Sequence, residues 1–154
     1  MPERRFYTWR QPPTLTHRAY AHPGTAALSL AAILVGAGFI LANFDLVGGA
    51  HLLEPLPTWL KLWLGATLIV GGSTSTYGLF RTWDALNKGW AVERLGWTLQ
   101  LGAWGSLAVL LATLVPEAAL TIPLMAGATV TAYLRLRALS LIEREARKLI
   151  KEAE

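Results

Sequence analysis

Apolar residues in this chain do not form stripes. They come in long unbroken runs, separated by short segments that hold almost all of the charge. Pro23 to Phe44 is 22 residues without a charged side chain. At ~1.5 Å of rise per residue a helix of that length covers a hydrocarbon core about 30 Å thick. A second run extends from Trp59 to Phe80, with Lys61 in its first turn, where a long aliphatic stem can carry the ammonium out to an interface. The third and fourth runs, Leu95–Val115 and Ala118–Leu134, are 21 and 17 residues without charge. Gly48, Gly49, Pro55 and Pro57 break the chain between the first two runs, and Pro116 with Glu117 makes a tight turn between the last two. Surface helices of soluble domains keep a polar stripe toward water. Runs that are apolar or small all round suit lipid. The pattern predicts an all-α fold, an integral membrane four-helix bundle with spans at about 23–44, 59–80, 95–115 and 118–134. A basic tail, 1–22, precedes it. The first span reads as an uncleaved anchor, because it is longer than a signal-peptide core. A soluble four-helix bundle is the competing reading. It would have to hide three wholly apolar helices within 154 residues, and too few polar helices exist to cover them.

Charge placement gives an orientation. Basic residues cluster in the N-terminal tail (Arg4, Arg5, Arg10, Arg18), in the middle link (Arg81, Lys88, Arg94) and beyond the fourth run (Arg135, Arg137, Arg144, Arg147, Lys148, Lys151). These are 13 of the 14 basic residues, and all fall on one side of the predicted spans. Asp45, Glu54 and Glu117 lie on the other. Lysine and arginine mark the cytoplasmic side, so both ends are expected inside, in a multi-pass protein of the cell inner membrane. The net charge of +4 then reads as basic loops facing anionic lipid, with no need of a nucleic-acid partner.

Composition narrows the chemistry further. The chain is 53% hydrophobic and 16% charged, against roughly 25% charged for soluble domains. It has no cysteine, which excludes disulfides, thiol catalysis and cysteine-ligated zinc or iron–sulfur centres. His17, His22 and His51 are scattered without metal-ligand spacing. A nucleophile elbow, a P-loop and a dinucleotide fingerprint are all missing. A non-enzymatic protein without cofactor, metal or catalytic residues is expected. A membrane enzyme would instead bring Asp84, Glu93 and Arg81 or Arg94 together at the cytoplasmic face.

Small and polar residues inside the spans supply the remaining candidates. Gly71-Gly72-Ser73-Thr74-Ser75-Thr76-Tyr77-Gly78 contains two small-xxx-small pairs, Gly71 with Ser75 and Gly72 with Thr76. Thr98, Gly102 and Ser106 repeat that spacing on the third span, and Gly127 with Thr131 on the fourth. Small residues let helix backbones approach closely in lipid, either within one bundle or between subunits. Gln100 is the most polar non-hydroxyl side chain within a span, and its amide needs a partner, for which a hydroxyl of the second span is suited. With Ser73 and Thr74 it is also the candidate polar lining of a channel. Trp83, Trp90, Trp97 and Trp104 recur every seven residues, which makes the middle link largely helical and starts the third helix before Leu95. Trp83, Trp90, Arg135 and Arg137 are expected as interfacial anchors on the cytoplasmic side, and Trp59 and Trp63 on the other. Beyond the fourth span, Leu139, Ile142, Ala146, Leu149 and Ala153 form a short apolar seam, predicting an amphipathic helix over 135–154. It would lie on the membrane surface, against the middle link, or against a partner.

In span count, in the small-residue run Gly71–Gly78 and in the charged tail Glu143–Glu154, residues 23–154 resemble the small four-span membrane proteins of bacteria and of phages of high-GC hosts, some of them holin-like. The resemblance implies a protein that self-associates or docks a membrane-protein partner, membrane permeabilisation being one concrete form. The alternative is a channel or small-solute carrier lined by Ser73–Thr76 and Gln100.

Overall fold

The computed structural model describes residues 23–44, 54–80, 86–115 and 120–153. The basic tail, Arg81, Trp83 and Asp84 lie outside them. The described residues fold as four helices without a strand: α1 (Pro23–Ala42), α2 (Thr58–Phe80), α3 (Leu86–Leu114) and α4 (Thr121–Ala153).

Local chemistry sets the ends. Pro23 opens α1, a position whose missing N–H costs nothing because the first helical amides have no intrahelical acceptor. Asn43 closes α1: its side-chain amide donates to the Phe39 carbonyl at 2.9 Å, and its backbone N–H to Ile40 at 3.1 Å. Pro57 starts α2 by accepting from the amides of Leu60 (3.0 Å) and Lys61 (3.2 Å), while Leu56 just before it tucks into the core. α3 closes with Val115 N–H donating to the Leu111 carbonyl at 2.9 Å. α3 begins nine residues before Leu95, where charge first disappears from the sequence. α4 runs unbroken for 33 residues, about 50 Å, so the predicted fourth span and amphipathic extension are one helix.

Consecutive helices pack antiparallel, α1 on α2, α2 on α3 and α3 on α4. The first two interfaces are backbone-tight. A Cβ built on Gly36 would lie 2.6 Å from the Gly65 carbonyl oxygen, and one on Gly72 would lie 2.6 Å from that of Ser29. Between α2 and α3, a Cβ on Gly78 would sit 2.5 Å from the Glu93 nitrogen, and one on Gly96 would run into the Ser75 backbone. The α3–α4 interface works differently. Its closest glycine, Gly105, would make only an ordinary 3.6 Å contact with Thr129. Large side chains fill this interface instead. Trp97 packs with Ala132 and Leu139, with Leu28, Trp90, Leu101 and Leu136 around them. Trp104, Leu107 and Leu111 join Ala32, Phe39, Leu64 and Leu68 in the main core, against which Ile122, Met125 and Ala128 pack.

Among the described residues two stretches, Pro23–Ala42 and Gly89–Leu114, are long and apolar enough to cross a membrane. The other two predicted spans are weaker for separate reasons. In α2 the run Gly71–Thr76 replaces large apolar side chains with small and hydroxylated ones. In α4 only Thr121–Leu134, about 21 Å, precedes Arg135.

Gly96→Ala drives a methyl group into the Ser75 backbone and is expected to cost about 1–3 kcal/mol. Gly102→Ala, where a Cβ meets nothing within 4 Å, is expected to be neutral or to gain up to ~1 kcal/mol from helix propensity. Thermal unfolding in detergent, followed by circular dichroism, compares them. Equal losses in the two variants would refute the assigned close approach.

Candidate functional site

The tight α1–α2–α3 packing brings three polar side chains into one buried node. The Ser29 and Ser75 hydroxyls are 2.8 Å apart, and Gln100 Nε2 donates to Ser75 Oγ at 2.8 Å and weakly to the Gly71 carbonyl at 3.4 Å. Ser75 donates its own proton to the Gly72 carbonyl at 3.0 Å. Ser75 therefore accepts from Gln100, and the remaining proton, that of Ser29, points at Ser75 as well. All three residues are at most 1% exposed. The node exists because the backbone at Gly71, Gly72 and Gly96 carries no side chain to hold the helices apart. Gln100 thus meets a hydroxyl of α2, and the partner is Ser75.

A second cluster sits at the end of the bundle where α2 finishes. Glu93, 3% exposed, accepts at a single oxygen, Oε1, from Arg135 Nη2 (2.7 Å), Arg135 Nε (2.9 Å) and Trp97 Nε1 (3.3 Å). Gly78 lets the last turn of α2 close over the Glu93 backbone. Arg94, the next residue, is ion-paired with Glu143 farther along α4. The two pairs differ in weight. The Glu93 and Arg135 side chains are 5% and 15% exposed, so removing either leaves an uncompensated charge in a poorly polarisable site. Arg94 is 39% exposed and screened, so its pair contributes ~1 kcal/mol at most.

The remaining sequence candidates scatter. Gly71, Gly72 and Ser75 are buried and serve packing inside one chain. Thr76 is half-buried, its hydroxyl bonded to the Gly72 carbonyl at 2.7 Å. Thr98 and Gly102 are exposed on α3, and Ser106 is half-buried below them. Ser73 is exposed, Thr74 donates to the Val70 carbonyl in its own helix, and neither shares the interior position of Gln100. Trp59 and Trp63 are exposed, whereas Trp90 is half-buried and packs beside Trp97. Arg137 is exposed. Arg135 corrects the sequence expectation: its guanidinium turns inward to Glu93 instead of outward to an interface. Of the charged residues expected to converge in an enzyme, Glu93 and Arg94 are engaged by α4, while Arg81 and Asp84 lie outside the described residues. Among the described residues no group of three or more His, Cys, Asp or Glu is placed to hold a metal.

The Glu93–Arg135 pair escapes sequence reasoning because its members are 42 positions apart. The signal that could have found its acidic half is local: an acid one helical turn before a tryptophan, Glu93 and Trp97, inside a heptad of tryptophans. No protein-family model, curated protein or solved structure matches the chain.

Arg135→Met leaves Glu93 buried and unpaired and is expected to cost about 3–5 kcal/mol, whereas Glu93→Leu combined with Arg135→Met should recover most of that loss. Denaturant melts of the single and double variants in detergent measure the difference. A double variant as unstable as the sum of its singles would disprove the coupling.

Proposed function

We propose that the chain is a multi-pass protein of the inner membrane, crossing four times with both ends in the cytoplasm, and that it acts by association with copies of itself or with a membrane-protein partner, not by catalysis. One observation carries this reading: the molecule buries several hydrogen-bonding side chains in its core and exposes large apolar ones on every helix. Its hydrogen-bonding side chains, Ser29, Ser75, Gln100 and Glu93, are buried. Its exposed large residues include Leu30 and Leu34 on α1, Trp63 and Val70 on α2, Leu95 and Val109 on α3, and Leu124 and Val130 on α4. That apolar surface wraps every helix, and a protein that stays monomeric in water does not expose so much of it. Lipid, together with a partner on part of it, is the natural cover. The outward-facing hydroxyls of Thr67, Thr98, Thr113 and Thr131 are bonded to carbonyls within their own helices, which suits a medium that offers no hydrogen bonds.

Association is favoured over a pore by where the small residues point. On α2, Gly65, Gly71, Gly72, Ser75 and Gly78 are used up inside the chain. Thr98 and Gly102 on α3, and Gly127 and Thr131 on α4, are left outward with open space above both glycines. A neighbouring helix could approach there as closely as α3 approaches α2. The proposed polar lining does not gather on one surface, which gives the channel reading no comparable support. Membrane permeabilisation of the holin-like kind would be a consequence of assembly, and dye release from liposomes separates it from simple association.

The protein is expected to resist carbonate extraction. Green fluorescent protein fused after Glu154 should fluoresce in the cytoplasm, and alkaline phosphatase inserted at Pro116 should be active outside it. In nanodiscs the particle should be larger than one chain, and Gly102→Leu should shift it toward monomer without unfolding it. Recovery in the aqueous fraction would overturn the membrane assignment, and a monomer in both wild type and variant would overturn association.

A further inference from the structure

Among the described residues three buried side-chain polar atoms lack a hydrogen-bond partner, Arg94 Nε, Gln100 Oε1 and Trp104 Nε1, and the last two, both deep in the bundle, are complementary. Gln100 Oε1 is an acceptor and Trp104 Nε1 a donor, each on a residue at most 2% exposed. They lie one turn apart on the same face of α3, where i,i+4 side chains leave the helix about 5–6 Å from each other. The amide orientation of Gln100 is fixed. Nε2 must face Ser75 Oγ and the Gly71 carbonyl, because Ser75 has already committed its proton to Gly72 and a carbonyl can only accept. Oε1 is thereby turned away from the node. A group left bare in an apolar core bears its full desolvation penalty.

We propose that one buried water molecule binds between these residues, accepting from Trp104 Nε1 and donating to Gln100 Oε1. The demand is for a ligand of a single heavy atom that both accepts and donates, and a water at ordinary hydrogen-bond lengths bridges roughly 5 Å between a donor and an acceptor. Interior waters are normally held by two to four polar groups of this kind. The bound water extends the Ser29–Ser75–Gln100 node along α3 to Trp104, so that the polar line crosses the core shared by α1, α2 and α3. The assignment is independent of what surrounds the protein, since both atoms are buried within one chain.

The test uses the full chain in detergent with 15N-labelled tryptophan. Loss of a signal in Trp104→Phe assigns the Trp104 indole resonance, and magnetisation transfer from water protons to that indole proton is then recorded. The expected result is a direct cross-peak with the sign of a long-lived water, together with its loss and an upfield indole shift in Gln100→Leu. Three results overturn the proposal: no water cross-peak in the wild-type protein; an indole resonance that responds to Gln100→Leu with no water contact, which means a direct Trp104–Gln100 bond; or a cross-peak that survives Gln100→Leu unchanged. The wild-type measurement by itself decides whether a water is bound at Trp104, even if Gln100→Leu does not fold.

Discussion

Backbone contact between α1, α2 and α3 is the constraint on which the other features rest. Where Gly36 meets Gly65, Ser29 meets Gly72, and Gly96 meets Ser75, a β-carbon would collide with main-chain atoms of the facing helix. The helices can therefore approach to a distance that ordinary side chains forbid. Dispersion contacts multiply at that distance, and short polar side chains become long enough to reach across. Serine hydroxyls reach only a short way from the backbone, so Ser29 and Ser75 could not bond at 2.8 Å between helices spaced by leucines. The buried polar node is thus a consequence of the glycines, and it in turn fixes the axial register, because a slip by one residue would strand Gln100 without Ser75.

α4 is held by a different kind of interaction. Against α3 it presents Ala132, Leu136 and Leu139 to tryptophans, and near its middle it is tied through Arg135 to Glu93. An ion pair in such a site is a weak net source of stability, yet the removal of one half alone is costly. Trp97 links the two modes: its ring fills the α3–α4 interface while its N–H adds a third donor to the Glu93 carboxylate. The bundle is therefore asymmetric, a glycine-tight slab of three helices with a fourth bound by bulk and charge.

Much of the helical layout was legible beforehand. Breaks at Asn43, Pro57 and Pro116 and the heptad of tryptophans placed the helices, including the early start of α3, because capping and breaking are decided by the residues themselves. The need of Gln100 for a partner was equally readable, since a buried amide must be bonded wherever it lies. The role of Arg135 was not. A basic residue at the edge of an apolar run reads as one that reaches outward, and only the position of Glu93 across the interface turns it inward. The small residues were readable as packing surfaces but not as inner or outer ones: Gly72 and Gly102 look alike in sequence, yet one is pressed against Ser29 and the other faces open space.

By itself, then, the sequence determined what depends on neighbours along the chain: which stretches are helical, where they stop, and which side chains cannot tolerate solitude in an apolar interior. Tertiary structure alone decided which helix faces meet, because small residues permit close approach without specifying a partner, and because pairing two charges 42 positions apart is a property of the assembled bundle. Contact across space is set by the joint fit of several helices, and no single run of residues encodes it.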